Sequence, residues 1–235
     1  MSGTMTLAQP ESLAGRDADA SRLLVVEDHP LFRRALVEVV SAAFPGAEIL
    51  QATSIDGAID VIAAQNNVDL VLLDLSMPGT TGLLGAFRVR VAAPRSALVI
   101  ISAHEDSRII GSAMALGIAG YIPKSTPKPK LARLVAAILE GEVWFPERSQ
   151  ESAAVRRAHA DAKSLLTQLG SLTAQQLRVL DMICRGLQNK HIAYELDICV
   201  TTVKVHVSEV LRKLDVRSRT EAIVRMSVLD FLKSE

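Results

Sequence analysis

Several side chains suited to phosphoryl chemistry stand directly after short apolar runs. Asp74 follows four large apolar residues, the acidic pair Glu27 and Asp28 follows another four, and Ser102 and Lys124 follow two later runs. Carboxylates that lie close together raise each other's pKa unless a cation joins them. Mg²⁺ prefers carboxylate oxygens together with a phosphate, and a carboxylate can itself be a nucleophile that forms an aspartyl-phosphate. With a lysine and a hydroxyl to bind phosphoryl oxygens, this set predicts phosphoryl chemistry at a magnesium site.

The elements that must position these side chains alternate along the first half of the chain. Five short strands, at about residues 23–26, 48–52, 70–73, 97–101 and 120–122, are each followed by a segment with helical spacing of apolar residues. Such alternation predicts a doubly wound, five-stranded parallel sheet with helices on both faces. The residues that follow parallel strands share one edge of the sheet. We therefore expect the carboxylates, the serine and the lysine to converge there.

Residues 21–143 resemble the receiver domain of a two-component response regulator, which has a flavodoxin-like fold. The resemblance rests on the acidic pair, on Asp74 with the following Pro78-Gly79, and on Ser102, Tyr121 and Lys124. It implies that a sensor histidine kinase transfers a phosphoryl group to Asp74. Receivers that never bind phosphate usually lack the acceptor, the acidic pair or the lysine, and this sequence contains them all.

The same resemblance implies a role for each remaining residue of the pocket. Mg²⁺ would be bound directly by Asp28 and Asp74 and by the backbone carbonyl of Ser76, with Glu27 assisting through water. Ser102 and Lys124 would contact the phosphoryl oxygens. Tyr121 would be the aromatic residue that changes rotamer on activation.

The second half of the chain has a different pattern. Residues 144–170 are rich in Ala, Arg, Lys and Glu, which favour helix, so we predict a partly helical linker, with a disordered tether as the alternative. Residues 171–235 contain four helical segments, two of them short and separated by a tight turn, which is typical of an all-α helix-turn-helix domain. Thr173 to Gln176 and Ser218 to Glu221 have the sequence of capping boxes, and Asn189 is expected to cap the second helix.

This second domain resembles the LuxR-type DNA-binding domain, so that the chain as a whole resembles a response regulator of the NarL/FixJ kind. The resemblance rests on several short motifs: Leu172-Thr173, Val179-Leu180, Gly186-Leu187, Asn189-Lys190, Ile192-Ala193, Thr202-Val203-Lys204-Val205-His206, Leu211-Arg212-Lys213-Leu214 and Arg217-Ser218-Arg219-Thr220-Glu221. It implies that residues 201–214 form the recognition helix in the major groove. It also implies a homodimer on DNA, formed in part by the last helix, around Ile223, Val224, Val228 and Leu229.

Candidate DNA contacts lie on and beside the recognition helix. Lys204 and Val205 would face bases, and Ser208 lies one turn further along, where some members of the family have a lysine. Residues 199–219 contain five basic and two acidic residues, so this part of the surface should attract phosphates without selecting sequence. Candidates for contacts to the DNA backbone and for this basic surface are Lys190, Thr201, Thr202, Arg212 and Lys213.

Two features depart from the family pattern. Cys199 stands where a serine usually caps the recognition helix, and a thiol is a weaker acceptor than a hydroxyl. Gln175 and Gln176 replace the usual Arg-Glu pair of the first helix. We expect neither change to abolish the fold.

The composition excludes several other classes of protein. The 235 residues include 26 basic and 26 acidic ones, so net charge gives no indication of nucleic-acid binding. Two cysteines make neither a disulfide framework nor a zinc site, and no apolar run is long enough to span a membrane. Residues 1–20 lack the features of a secretory signal and predict a flexible tail. We therefore expect a cytoplasmic protein.

Two other functions agree with parts of the pattern. A phosphohydrolase can form an aspartyl-phosphate, but such enzymes commonly have a second aspartate two residues after the nucleophile, where this chain has Ser76. A DNA-binding protein whose receiver serves only for dimerisation is the other alternative. It predicts that a phosphodonor changes neither DNA affinity nor oligomeric state.

Overall fold

The structure, a computed structural model, describes residues 21–65, 67–78, 80, 82–146, 153–227 and 229. Several sequence predictions fall outside these residues. They concern the N-terminal tail of residues 1–20, Gly79, the first part of the linker at residues 147–152, and Val228.

A five-stranded parallel sheet forms the centre of the first half. Its strands are β1 (Arg22–Val26), β2 (Glu48–Ala52), β3 (Leu70–Asp74), β4 (Ala97–Ser102) and β5 (Gly120–Pro123). The strand order is β2-β1-β3-β4-β5, which confirms the doubly wound topology. Since β1, β3 and β4 lie next to one another, the residues that follow them meet at one edge.

Five helices cover the two faces of the sheet: α1 (Pro30–Ala43), α2 (Ile55–Gln65), α3 (Leu83–Ala92), α4 (Ser107–Ala115) and α5 (Lys128–Leu139). Alternate residues of the strands point to opposite faces. Leu24, Val71 and Ile100 pack towards α2, α3 and α4, whereas Leu23, Leu72 and Val99 pack towards α1 and α5. All residues of β3 are buried, as a central strand with two covered faces requires.

Five further helices follow: α6 (Ala153–Leu169), α7 (Ala174–Cys184), α8 (Asn189–Glu195), α9 (Val200–Lys213) and α10 (Arg219–Met226). Thr173 and Gln176 form a reciprocal capping box at the start of α7. At α10 the capping is partial: Ser218 accepts from the N–H of Glu221, but the carboxylate of Glu221 accepts from the N–H of Arg217. The helix-turn-helix is formed by α8 and α9.

The predicted cap of α8 was wrong by one residue. Gln188 occupies the N-cap position and makes no side-chain capping bond, while Asn189 is the first helical residue. The amide oxygen of Asn189 lies 3.4 Å from the guanidinium of Arg219. It serves the packing of α8 near α10 instead of the helix start.

Apolar packing continues from the sheet into the second half of the chain. One cluster joins residues of β1, β3 and β4 to Leu165, Leu166 and Leu169 of α6 and to Leu180 of α7. A smaller cluster lies within the helix-turn-helix, around Ile183, Ile192 and Val203. None of the helices among the described residues is long and apolar enough to cross a bilayer.

Candidate functional site

The acidic residues and the lysine meet at the carboxyl end of the sheet. The ammonium of Lys124 lies 2.8 Å from Glu27 Oε2 and 3.0 Å from Asp74 Oδ2. Asp74 ends β3, whereas Glu27 and Asp28 follow β1 directly. The parallel order of the strands therefore brings together residues that are up to 97 positions apart.

Burial and charge oppose each other in this pocket. Burial raises the pKa of the Asp74 carboxyl, the charge of Glu27 adds to that effect, and hydrogen bonds from Lys124 and the Ser76 N–H only partly offset it. Burial also disfavours the charged form of Lys124, but hydrogen bonds to Glu27 and Asp74 outweigh it and raise the pKa of that ammonium. The lysine thus stays charged and partly compensates two carboxylates.

Ser102 and Tyr121 lie next to this pocket. Ser102 is the last residue of β4, and Tyr121 lies within β5. Ser102 is fully buried, and its hydroxyl accepts from the N–H of His104 at 3.1 Å. The Tyr121 hydroxyl donates to the carbonyl of His104 at 2.5 Å, so the ring is held in a buried position. Burial raises the pKa of this phenol to about 12.

His29 is a further member of the pocket that the sequence interpretation did not include. Its Nδ1 lies 3.1 Å from Glu27 Oε1 and 3.0 Å from Asp28 Oδ1. Its backbone N–H also donates to Glu27 Oε1 at 3.0 Å. The available signal was its place directly after the acidic pair and before Pro30, where the chain must turn back over the sheet edge into α1.

The pocket has the donor set that a divalent cation needs. One ligand atom from each of Glu27, Asp28, His29 and Asp74 lies within 4.8 Å of the others. Asp28 Oδ1 and Asp74 Oδ2 are buried, with His29 Nδ1 at 3.0 Å from the first and the Lys124 ammonium at 3.0 Å from the second. Ser76 donates its N–H to Asp74 Oδ1 at 3.1 Å, which fixes the loop whose carbonyl was the remaining predicted ligand.

Helix α9, which corresponds to the predicted recognition helix, presents most of the predicted contact residues to solvent. Thr201, Lys204, Val205, Ser208 and Arg212 are exposed, and Thr202 is partly exposed. Lys190 is exposed on α8, and Arg212 forms an ion pair with Glu209 at 2.8 Å. Among the described residues, no element of the first half of the chain covers these side chains.

Lys213 is placed differently from the other candidates. Its ammonium donates to the carbonyl of Ser171 at 2.7 Å and to Gln176 Oε1 at 2.9 Å. These bonds join the end of α9 to the capped start of α7. Lys213 therefore has hydrogen-bond partners within the same domain. The Lys204 side chain, by contrast, donates no hydrogen bond to any of the described residues.

This difference predicts separate effects for two substitutions. We expect Lys204→Ala to weaken binding to a selected DNA site by about 10-fold, because one base contact is worth about 1–3 kcal/mol. Lys213→Ala should instead lower the free energy of unfolding by about 1 kcal/mol through lost hydrogen bonds. Fluorescence anisotropy with labelled DNA and urea unfolding of both variants measure the two effects. A larger loss of DNA affinity in Lys213→Ala than in Lys204→Ala would contradict this assignment.

The N-terminal cap of α9 is weak, as the sequence predicts. Cys199 occupies the N-cap position and makes no side-chain capping bond, and its sulfur lies 3.0 Å from Thr202 Oγ1. We expect Cys199→Ser to raise the free energy of unfolding by about 1 kcal/mol, measured in urea, because serine is a strong N-cap. Cys184→Ser is the matched control and should be destabilising, since Cys184 is buried. Stabilisation by both changes would indicate loss of thiol oxidation as the cause.

An ion-pair network connects helices α2 and α3 of the first half of the chain to α7 of the second half. Arg88 of α3 is almost fully buried and lies between Asp56 of α2 and Asp181 of α7, 3.4 Å from the latter. Arg178 of α7 also contacts Asp56, at 3.2 Å, and Thr80 donates to Asp181 at 3.3 Å. Burial opposes ionisation of Asp56, but the two guanidinium groups outweigh it and lower the pKa of the carboxyl. Two carboxylates and two guanidinium groups thus pair across the interface.

Two further contacts join the two halves of the chain. Helix α6 packs closely on α4, where Gly111 faces the backbone of Val155. Beyond α10, Leu229 is buried and its carbonyl accepts from the N–H of Leu83 at 2.9 Å. Leu229, which we expected at a dimer contact, is thus held by the receiver in this conformation, while Val224 is exposed.

Comparison with known proteins gives matches over both halves. Residues 23–136 match the family model of the response regulator receiver domain, and residues 170–226 match that of bacterial regulatory proteins of the luxR family. The glycerol metabolism activator of Pseudomonas putida is 40% identical over 213 residues, which cover 89% of this chain and 96% of that protein. The nitrate/nitrite response regulator protein NarP of Escherichia coli is 32% identical over 212 residues, covering 88% and 95%. These relatives are regulators and not phosphohydrolases.

A solved structure supports the fold. The two-component response regulator RcsB, in its complex with DNA, superposes with a TM-score of 0.51 and covers 89% of this chain and 99% of that one. Its sequence identity is 17%, so this likeness concerns the fold.

Proposed function

Since the chain belongs to the response regulators that join a receiver domain to a LuxR-type DNA-binding domain, we propose that phosphorylation of Asp74 controls its binding to promoter DNA. The observation that carries the proposal is the position of the Asp74 carboxylate, buried at the sheet edge 3.0 Å from Lys124. A sensor histidine kinase is the proposed donor. The proposed site of action is the cytoplasm, where chromosomal DNA is available.

The proposed reaction is a transfer between two nucleophiles. A carboxylate oxygen of Asp74 attacks the phosphorus of the phosphohistidine, the P–N bond breaks, and the leaving imidazole takes up a proton. Lys124 lies where it compensates negative charge on the phosphoryl oxygens. The Ser102 hydroxyl, which accepts from the N–H of His104, would turn its own hydrogen towards a phosphoryl oxygen.

A divalent cation fits this pocket because its donors are mainly carboxylate oxygens that lie close together, with Lys124 as the one charge that faces both Glu27 and Asp74 among the described residues. Asp28, Asp74 and the carbonyl of Ser76 would hold Mg²⁺. Glu27 is fully buried and hydrogen-bonded to Lys124, which supports its indirect role. When bound, the cation would neutralise negative charge on the Asp74 carboxylate and on the transferred phosphoryl group.

The proposed output is a homodimer bound to DNA through α9. The exposed side chains of Lys204 and Val205 would face bases, with Lys190, Thr201 and Thr202 at phosphates. In the conformation described, the contacts of Arg88 and Leu229 tie the DNA-binding domain to the receiver. We propose that phosphorylation weakens these contacts and frees the last helix for dimerisation, because masking of α9 is not seen here.

The test uses the full chain with acetyl phosphate and Mg²⁺. We expect intact-protein mass spectrometry to show one added phosphoryl group, and footprinting of genomic DNA to show protection at a lower protein concentration than without the donor. The phosphorylated protein should also sediment as a dimer at concentrations where the untreated protein is monomeric. Uptake of phosphate with unchanged footprints and sedimentation would contradict the proposed control. It would favour a receiver that serves only for dimerisation.

A further inference from the structure

The aromatic ring of Phe32 lies over the ammonium of Lys124. The nitrogen is 4.5 Å from the centre of the ring, and a cation within about 6 Å of a ring centre is attracted to the negative face of the ring. Phe32 lies in the first turn of α1, and Lys124 follows β5 directly. The turn that leads from the acidic pair into α1 therefore also brings an aromatic face to the lysine.

The same ammonium contacts two carboxylates. Its nitrogen lies 2.8 Å from Glu27 Oε2 and 3.0 Å from Asp74 Oδ2. An ammonium has three hydrogens, so one remains after each carboxylate has accepted one. The Lys124 side chain is only 18% exposed, and the ring of Phe32 covers part of the ammonium that water would otherwise hydrate. Two carboxylates and one ring thus hold the charged end of this side chain.

Packing alone does not require a ring at position 32. Phe32 is partly buried and packs against the apolar cluster between the sheet, α1 and α5. A leucine could fill much of this space, but it has no negative face to attract a cation. A cation–π contact in a partly desolvated site changes an equilibrium by roughly 2- to 30-fold. An ammonium that loses the ring therefore spends more time in hydrated rotamers, away from Asp74.

We propose that Phe32 is a positioning residue for phosphorylation, whose ring keeps the Lys124 ammonium beside Asp74 for the incoming phosphoryl group. The inference rests on the proposed function, in which Asp74 is the acceptor and Lys124 compensates charge on the phosphoryl oxygens. Phe32 acts through Lys124 and takes no part in the transfer itself. Because the ammonium is already in place, it need not be ordered during the transfer, which lowers the barrier of the reaction.

The test replaces Phe32 of the full chain with phenylalanines that carry one, two or three ring fluorines. Fluorine keeps the shape of the ring and weakens the negative charge of its face, so we expect the rate of labelling by acetyl phosphate with Mg²⁺ to fall with each added fluorine. Phe32→Leu should be about 10-fold slower than the wild type. Phe44, which caps the end of α1 and packs against the same cluster, is the matched control, and fluorine there should leave the rate unchanged.

A second readout needs no phosphate transfer. In the unphosphorylated protein the ring current of Phe32 should shift the NMR signals of the Lys124 ε-methylene protons upfield, and Phe32→Leu should abolish the shift. Equal rates for all the fluorinated rings, or no upfield shift in a wild-type protein that is labelled, would overturn the role of Phe32 alone. Upfield-shifted signals in a wild-type protein that takes up no phosphate would instead contradict the proposed function, and the positioning role with it.

Discussion

Asp74→Asn is expected to abolish labelling of the protein by acetyl phosphate and to remove every effect of the phosphodonor on DNA binding. An amide of the same shape fills the site, but it has no anionic oxygen to attack phosphorus. Lys124 keeps Glu27 as a partner at 2.8 Å, so the pocket should stay folded. Labelling is measured by intact-protein mass and DNA binding by anisotropy. Asp60→Asn, at an exposed position of α2, is the control and should behave as wild type.

The two possible contradictions have different meanings. Equal labelling of Asp74→Asn and wild type would exclude Asp74 as the acceptor. Loss of labelling with a persistent effect of acetyl phosphate on DNA binding would show that the donor acts elsewhere on the protein. An aspartyl-phosphate is supported as the signal only if Asp74→Asn loses both the labelling and the effect of acetyl phosphate on DNA binding.

The same substitution has a pH-dependent effect on stability, measured in EDTA. Folding raises the pKa of Asp74, chiefly through burial, so the ionised carboxyl costs free energy in the folded state. This cost is fully present above the folded-state pKa and disappears below the ordinary value of 3.8. Asp74→Asn should therefore be more stable than wild type at pH 7. The difference in urea midpoint should shrink as the pH falls towards 4, and a difference that grows instead would contradict the sign of the shift.

The convergence of the pocket could be predicted from the sequence because it depends on topology alone. Strands of this length and composition favour a parallel sheet, and every residue at a strand's carboxyl end then reaches the same edge. Asp74, Ser102 and Lys124 are placed there by the register of β3, β4 and β5. No detail of side-chain packing was needed. The exposure of Lys204 and Val205 agrees with what the resemblance to the LuxR-type domain implies.

Other features depend on side-chain rotamers and on how the two domains dock. Lys213 has the same charge as Lys204, and only the proximity of the α7 start shows that its ammonium is used within the domain. The pairing of Arg88 with Asp181 joins positions 93 residues apart in different domains. Nothing in local periodicity indicates that Leu229 packs on the receiver. Such contacts arise from the fit of two surfaces, which a single sequence does not encode as a repeating pattern.

The docking of α6 on α4 gives the second large expected effect, through Gly111→Ala. Alanine in place of glycine within a helix normally stabilises by about 0.5–1 kcal/mol. At Gly111 the added Cβ would overlap the carbonyl oxygen of Val155 and lie 3.0 Å from Ala158 Cβ. Because backbone atoms cannot move aside alone, α6 as a whole must shift. Overpacking of this kind costs about 1–3 kcal/mol, which corresponds to roughly 5- to 150-fold in the equilibrium for release of α6.

Hydrogen exchange and DNA binding together measure that release. Amide exchange in α6 should accelerate by this factor, and the unphosphorylated variant should bind DNA more tightly, because release of α6 loosens the contacts that hold Leu229. Gly57→Ala is the matched control: its Cβ would meet only the Ser54 hydroxyl, at 3.1 Å, so exchange in α6 should not change. Faster exchange without tighter DNA binding would separate α6 docking from regulation. Unchanged exchange in Gly111→Ala would show that α4 and α6 accommodate a methyl group, and the interface would then be too loose to transmit phosphorylation by this route.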